Sequence, residues 1–207
     1  MTAKNSVTAV LLLASLLSGA AGRAHADGPD RGKAFLLSLL VPGLGQYYAG
    51  SPGYAKVFLA AELAVWGGYY YNTVMKQSRR QDYLTQAALH AGVNPSGHGT
   101  AYLNAVGGFT SSFDYNGYQL QMMESPVLYT GAMEWKWDSE WEREQFRFLR
   151  ERELDYENNI KYCIAGAVLN HLLAGLHASR LAARKSTPAV TIRVNGRGLA
   201  AVYSRSY

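Results

Sequence analysis

The 207-residue sequence contains a single cysteine, Cys163, and few histidines. One thiol excludes an intrachain disulfide framework and a cysteine-based zinc cluster. His171 and His177 are six residues apart, which places them about 240° apart around a helix, so they do not share a face. No His-x-x-x-His spacing is present. We therefore predict that the protein holds no metal and no cofactor.

Charge is also scarce, because only 17% of the residues are Asp, Glu, Lys or Arg. The formal net charge is +5. Removal of residues 1–26 would take away Lys4 and Arg23 and no acid, which lowers it to +3. This charge is too small to indicate a nucleic-acid partner, so none is predicted.

Motifs that mark catalysis are missing as well. Gly43 and Gly45 do not form a phosphate loop, because no strand precedes them and no Gly-Lys-Ser/Thr follows. The serines lack a nucleophile-elbow pattern. We predict that the protein is not an enzyme and has no catalytic residue. A proton-handling role for Glu62, or a catalytic role for His171, remains an open alternative.

The N-terminus resembles a secretory signal peptide. Lys4 supplies a positive charge, Val7 to Leu17 is apolar, and Ala24-His25-Ala26 provides a small-x-small cleavage site before Asp27. We predict that residues 1–26 are removed and that the protein is exported to the bacterial cell envelope. The alternative is an uncleaved anchor helix.

The chain is organised around the segment Ser38 to Gly53. Proline at position 42 ends or kinks a short apolar helix, and Gly43 and Gly45 permit a sharp reversal. The segment therefore predicts the turn of a tight helical hairpin. Three further residues complete the motif, namely Gln46, Tyr48 and Gly50.

A first helix is predicted from Arg31 to Val41, capped by Asp30. Ser51 followed by Pro52 reads as an N-cap with proline at the first helical position. The second helix, Tyr54 to Met75 with a continuation to Ala91, carries Lys56 near its start. Glu62 is the single formal charge between Val57 and Met75. This stretch is close to spanning length and is a candidate transmembrane helix.

A long C-terminal helix is predicted to begin at the capping-box signature of Ser139 and Glu142. Its part from Tyr162 to Ser179 lacks Lys, Arg, Asp and Glu, and is the second membrane candidate. Asn170 and His171 lie in this part. A carboxylate in apolar sequence usually faces a protein interior. We therefore expect Glu62 to bond to the long C-terminal helix, with Asn170 and His171 as the favoured partners, or to the Gln46-Tyr48 turn.

The rest of the chain is less regular. Residues 92–112 predict a loop with a short helix near 102–106, and residues 113–138 remain unassigned. In the tail, alternating apolar residues flank Asn195-Gly196, which is a strong hairpin signal. We predict three regions: a signal peptide at 1–26, a helical domain at 27–187 and a β-hairpin tail at 188–207.

The hairpin motif resembles a bacterial family of uncharacterised, signal-peptide-bearing membrane or envelope proteins, classed as a domain of unknown function. The resemblance covers residues 31–185, and here His177-Ala178 stands where an Asp-Ala pair is expected. It implies an envelope location and no known activity. The residues that carry it are Pro42, Gly43, Gly45, Gln46, Tyr48, Gly50, Lys56, Glu62, Trp135 to Asp138, Arg147 to Arg152, Asn170 and His171.

Together these observations predict a mainly α protein: a membrane-associated helical hairpin, a long C-terminal helix and a small C-terminal β-hairpin. The predicted function is that of a non-enzymatic envelope scaffold or assembly factor. Its expected partners are membrane lipids and an envelope protein. The alternative is a periplasmic module that binds a lipid or another hydrophobic ligand.

Overall fold

The computed structural model describes residues 28–186 with their side chains, and the backbone of residues 189–195 and 198–204. It is mainly helical, as predicted. The helices are α1 (Arg31–Leu40), α2 (Leu44–Tyr48), α3 (Pro52–His90), α4 (Thr100–Gly108), α5 (Ser112–Met122) and α6 (Glu140–Ser186), with a 3₁₀ turn at Gly131–Met133. The predicted signal peptide and its cleavage site lie outside the described residues.

The chain divides into two compact units. The first unit takes its described residues from Met1–Val65 and Ala165–Tyr207, and the second unit is Trp66–Ile164. The two long helices, α3 and α6, therefore contribute residues to both units. The division into regions 27–187 and 188–207 stays a prediction.

The helix starts follow the local sequence signals. Asp30 caps α1, because its Oδ1 accepts a hydrogen bond from the backbone N–H of Lys33 at 2.6 Å. Helix α3 begins at Pro52, where the missing N–H costs nothing. The Ser139 hydroxyl accepts a hydrogen bond from the N–H of Glu142 at 3.3 Å, and α6 begins at Glu140, the residue after Ser139. These three predicted helix starts are confirmed.

The region between the long helices contains more helix than the sequence predicted. The short helix expected near residues 102–106 is α4. Helix α5 was not predicted, although Ser111 followed by Asp114 is a capping signal. The Ser111 hydroxyl accepts a hydrogen bond from the N–H of Asp114 at 3.1 Å.

The second unit has a core of large aromatic side chains. Tyr83 and Phe146 meet edge to face with ring centroids 5.5 Å apart. The indole N–H of Trp137 donates to the carbonyl of Val106 at 2.7 Å, which satisfies its polar atom inside the core. The other large aromatic members of this core are Tyr102, Tyr129 and Trp135.

The first unit is built differently, because small residues fill its interior. Fully buried positions include the alanines and polar residues Ala34, Ser38, Gln46, Ala174, Ala178 and Ala182. Small side chains let helix backbones approach closely. Gly175 shows this approach, since a Cβ there would lie 3.0 Å from the ring of Phe35.

The prediction of transmembrane helices is wrong for the described residues. None of the helices described here combines the length and the apolar character that crossing a membrane requires. Both candidate stretches contain weakly apolar or polar residues, which lower their hydropathy. The stretch in α3 contains many Ala, Gly and Tyr residues, and the stretch in α6 contains Asn170, His171 and His177.

The backbone of the tail is extended in two segments. Strands β1 (Ala189–Asn195) and β2 (Gly198–Ser204) pair in antiparallel register, with Asn195 opposite Gly198. The Asn-Gly signal lies at this reversal in the sequence. The role of the hairpin as a separate tail stays a prediction.

Candidate functional site

The turn between α1 and α3 depends on two glycines. Gly43 has φ +104°, and a Cβ there would lie 2.5 Å from the carbonyl oxygen of Ala55. A Cβ on Gly45 would overlap the carbonyl oxygen of Ala34 and lie 2.5 Å from Ser38 Oγ. Real Cβ atoms do not approach backbone atoms so closely, so both positions require glycine.

Buried Gln46 connects this turn to α6. Its Oε1 accepts a hydrogen bond from the Ser38 hydroxyl at 2.7 Å, and its Nε2 donates to the carbonyl of Ala174 at 2.9 Å. The N–H of Gly45 donates to Ser38 Oγ at 2.9 Å. The amide is completely buried, and each of these bonds replaces one that it would make with water. The polar group predicted on the turn therefore holds helices together.

Tyr48 and Gly50 lie where the turn meets the ends of α1 and α6. The N–H of Asp30 donates to the Tyr48 hydroxyl at 3.2 Å, and Lys33 Nζ lies 5.0 Å from the centre of the tyrosine ring. Lys185 Nζ donates to the carbonyl of Gly50 at 2.8 Å. Pro42 is buried beside this turn.

Glu62 joins α3 to the polar residues of α6, as predicted. Asn170 Nδ2 donates to Glu62 Oε2 at 2.8 Å and to the carbonyl of Phe58 at 3.2 Å. His171 Nε2 lies 3.2 Å from Glu62 Oε1, and its Nδ1 lies 2.6 Å from the carbonyl oxygen of Leu39. Three helices meet at this cluster, and the prediction that Glu62 bonds to Asn170 or His171 is confirmed.

The contacts of His171 determine where a proton must lie. A carbonyl oxygen only accepts, so Nδ1 carries a hydrogen and donates to Leu39. Nε2 and the Glu62 carboxyl can then bond only if one of them also carries a proton. The pair therefore needs one further proton. Either His171 holds it as an imidazolium beside a carboxylate, or Glu62 holds it as a carboxylic acid beside a neutral imidazole. In both forms the bond connects α3 to α6.

Lys56 differs from the residues of these clusters in its exposure to solvent. Lys56 is exposed on the surface of α3, whereas Glu62, Asn170 and His171 are half-buried. Of the predicted residues, Gly45 and Gln46 form one cluster with the unpredicted Ser38. Glu62, Asn170 and His171 form a second.

The sequence predicted no role for His177, whose spacing from His171 argues against a shared metal ion. Its ring packs 4.7 Å from the ring of Tyr54 and 5.4 Å from that of Phe58. Burial lowers its pKa, and the charges of Arg184 and Arg180 lower it further. Nδ1 is buried and, among the described residues, has no hydrogen-bond partner. A neutral aromatic contact fits this position.

The helices of the first unit expose apolar side chains and turn several polar side chains toward its interior. Every exposed side chain is apolar along residues 57–65 of α3 and along residues 165–176 of α6. We call this set, with the exposed leucines of α1, the apolar surface. Its larger members are Leu36, Leu40, Val57, Leu59, Leu63, Val168, Leu169, Leu172, Leu173 and Leu176, each between 46% and 73% exposed.

Comparisons with family models, with curated proteins and with solved structures find no match for this chain. The family resemblance therefore stays a prediction. Within residues 28–186, no group of three or more His, Cys, Asp or Glu side chains is placed to hold a metal ion.

Proposed function

We propose that the protein is an exported, non-enzymatic scaffold or assembly factor of the bacterial cell envelope. It binds an apolar partner through the apolar surface of its first unit. The observation that carries this proposal is the inverted distribution of side chains. Glu62, Asn170 and His171 face inward on the same helices whose leucines face outward.

The size of the apolar surface argues for a bound partner. Burial of one leucine side chain contributes about 1.5–3 kcal/mol, so leaving many of them in water is costly. Large apolar patches on proteins mark places where another protein, a lipid or a ligand binds. On α6 alone, five large apolar side chains are exposed within residues 168–176.

The polar clusters support a structural role for the first unit. Gln46 is completely buried and bonds α2 to α1 and α6. Glu62 and His171 bond α3 to α6 and α1. These bonds fix the positions of helices that present the apolar surface, which is what a scaffold requires.

The alternative is a periplasmic module that binds lipid or another hydrophobic ligand. It uses the same apolar surface, and the two candidates differ in the chemistry of the occupant. In either case the β-hairpin at 188–207 is proposed as a separate tail.

Site-directed labelling tests whether the apolar surface is occupied in cells. Leu172→Cys and Arg152→Cys, each in a Cys163→Ser background, place one thiol on an exposed position of α6. Leu172 is 46% exposed, and the Arg152 side chain is 55% exposed. In gently lysed cells a charged maleimide should label Cys at 152 readily and Cys at 172 only after detergent denaturation. Equal labelling at both positions would contradict the proposal.

Export is tested separately by sequencing the N-terminus of the protein recovered from the envelope fraction. The small-x-small site predicts a mature chain that begins at Asp27. A recovered chain that begins at Met1 or Thr2 would contradict cleavage.

A further inference from the structure

We infer that the apolar surface inserts into the acyl-chain layer of one leaflet of an anionic phospholipid bilayer, with the adjoining basic end at the headgroups. This inference rests on the proposed function, whose partner it names. Two features of the first unit carry it: the position of its basic residues, and the exposed leucines of the adjoining apolar surface.

Within residues 28–65 and 165–186, the basic residues of the first unit all lie near helix ends. Two lie in the first turn of α1, one lies near the start of α3, and three lie in the last two turns of α6. All six are exposed. Within residues 28–65 and 165–186 the acids are Asp30, which caps α1, and Glu62, which bonds inside the unit. The basic end consists of Arg31, Lys33, Lys56, Arg180, Arg184 and Lys185.

Contacts between these helix ends bring the basic residues to one end of the unit. Ser186 Oγ donates to the carbonyl of Pro29 at 3.0 Å, which joins the end of α6 to the start of α1. Lys185 Nζ donates to the carbonyl of Gly50 at 2.8 Å, just before α3 begins. Helix α6 therefore runs opposite to α1 and α3, and the apolar surface lies further along all three helices.

Lipid explains the whole pattern better than a protein partner. Acyl chains accept exposed leucines without any specific shape, and inward-facing polar groups with small residues between helices are typical of packing in lipid. Basic side chains beside an apolar zone extend their charges to anionic headgroups. A protein partner would explain the leucines but gives no reason for six exposed cations against a single exposed acid, Asp30, among the described residues of this end.

Vesicle flotation tests the inference with the protein purified from its producing cells and freed of detergent. Vesicles with one-third phosphatidylglycerol should float the protein, and pure phosphatidylcholine vesicles should bind it about tenfold more weakly, because each cation near an anionic surface adds to binding. Raised salt should reduce binding to the anionic vesicles.

Two variants assign the binding to its two parts. Arg180→Gln with Arg184→Gln should weaken binding to anionic vesicles about tenfold. Leu172→Gln with Leu173→Gln should abolish flotation. Arg152→Gln is the matched control on α6, and it should bind like the unaltered protein. Circular dichroism checks that each variant keeps its helix content, which is expected because the altered side chains are exposed.

The outcomes separate this inference from the proposed function. Equal binding to both vesicle types, or no flotation with either, would overturn the inference. If Cys at 172 is nevertheless protected in lysed cells, the occupant is a protein and the proposed function stands. Dimerisation without vesicle binding, measured by light scattering, would identify a second copy as the occupant and also overturn the inference. Labelling at 172 equal to that at 152 would overturn the proposed function itself.

Discussion

The interiors of the two units are filled by side chains of different size. In the second unit, Tyr83 and Phe146 are no more than 1% exposed. In the first unit, Leu172 and Leu173 are 46% and 50% exposed, whereas Ala174 beside them is completely buried. The second unit therefore has a core of large apolar residues, although it also exposes others, such as Phe113 and Leu120. The fully buried positions of the first unit are held by small or polar side chains, so its leucines are left for the proposed partner.

The units also differ in what joins their helices. The second unit relies on contacts among aromatic rings, such as that of Phe146 with Trp137 at 5.3 Å. The first unit relies on close backbone approach at Gly45 and on hydrogen bonds from Gln46 and Glu62. Substitutions should therefore act through overlap or lost hydrogen bonds in the first unit, and through cavities in the second.

The largest effect is expected at the glycine turn. Gly45→Ala should lower the free energy of unfolding by at least about 3 kcal/mol, because the new Cβ overlaps the Ala34 carbonyl and Ser38. Gly53→Ala is the control, since a Cβ there meets nothing within 4 Å. Thermal unfolding followed by circular dichroism measures both. If the two variants unfold alike, the close approach at Gly45 is wrong.

A comparable loss is expected in the aromatic core. Phe146→Ala should cost about 3–5 kcal/mol, because it leaves a cavity beside Tyr83 and Trp137. Phe148→Ala removes a ring that is 53% exposed, and it should cost less than about 1 kcal/mol. Urea unfolding followed by tryptophan fluorescence measures the difference. Equal costs would show that the second unit lacks the tight core described here.

A smaller effect is expected at the polar cluster of the first unit. Glu62→Leu should lower stability by about 2 kcal/mol, because it leaves the polar atoms of Asn170 and His171 without their carboxyl partner. Glu62→Leu combined with His171→Leu should be less harmful than Glu62→Leu alone. Additive losses in this double-mutant cycle would mean that the two side chains are not coupled.

The smallest effect concerns pH and the second unit. Burial raises the pKa of Tyr102 to about 12, and Tyr129 adds to the shift. A tyrosine with a raised pKa stays neutral in the folded state after it ionises in the unfolded chain, so stability falls from about pH 10 upward. Tyr102→Phe should flatten this decline in urea unfolding at pH 9 to 12. Tyr70→Phe, which alters a ring that is 72% exposed, should leave the decline unchanged.

Local signals in the sequence predicted much of the fold. Asp30, Pro52 and Ser139 mark helix starts through capping chemistry that involves residues within one turn. The charge-free surroundings of Glu62 also sufficed to predict its partners on α6, because an isolated carboxylate in apolar sequence requires a polar neighbour. Each of these predictions rests on neighbouring residues or on one chemical requirement, and the structure confirms them.

Other features depend on long-range packing and were missed. Ser38 looked like one residue of an apolar run, and its role as partner of Gln46 arises only when the turn folds back. The side chains of Leu172 and Ala174 are both apolar, so the sequence did not show which would face outward. The transmembrane prediction was wrong because it relied on the absence of charged residues. It gave too little weight to the low hydropathy of Ala, Gly and Tyr.

The most direct test of the account is the environment of a nitroxide attached to Leu172→Cys, compared with one attached to Arg152→Cys. Both are studied in envelope vesicles from producing cells, in the Cys163→Ser background. Electron paramagnetic resonance measures collisions of each label with a water-soluble nickel chelate and with oxygen. We predict few nickel collisions at 172 and many at 152, with frequent oxygen collisions at 172 if lipid is the occupant. Nickel collisions as frequent at 172 as at 152 would show that the apolar surface faces water, and would contradict the account.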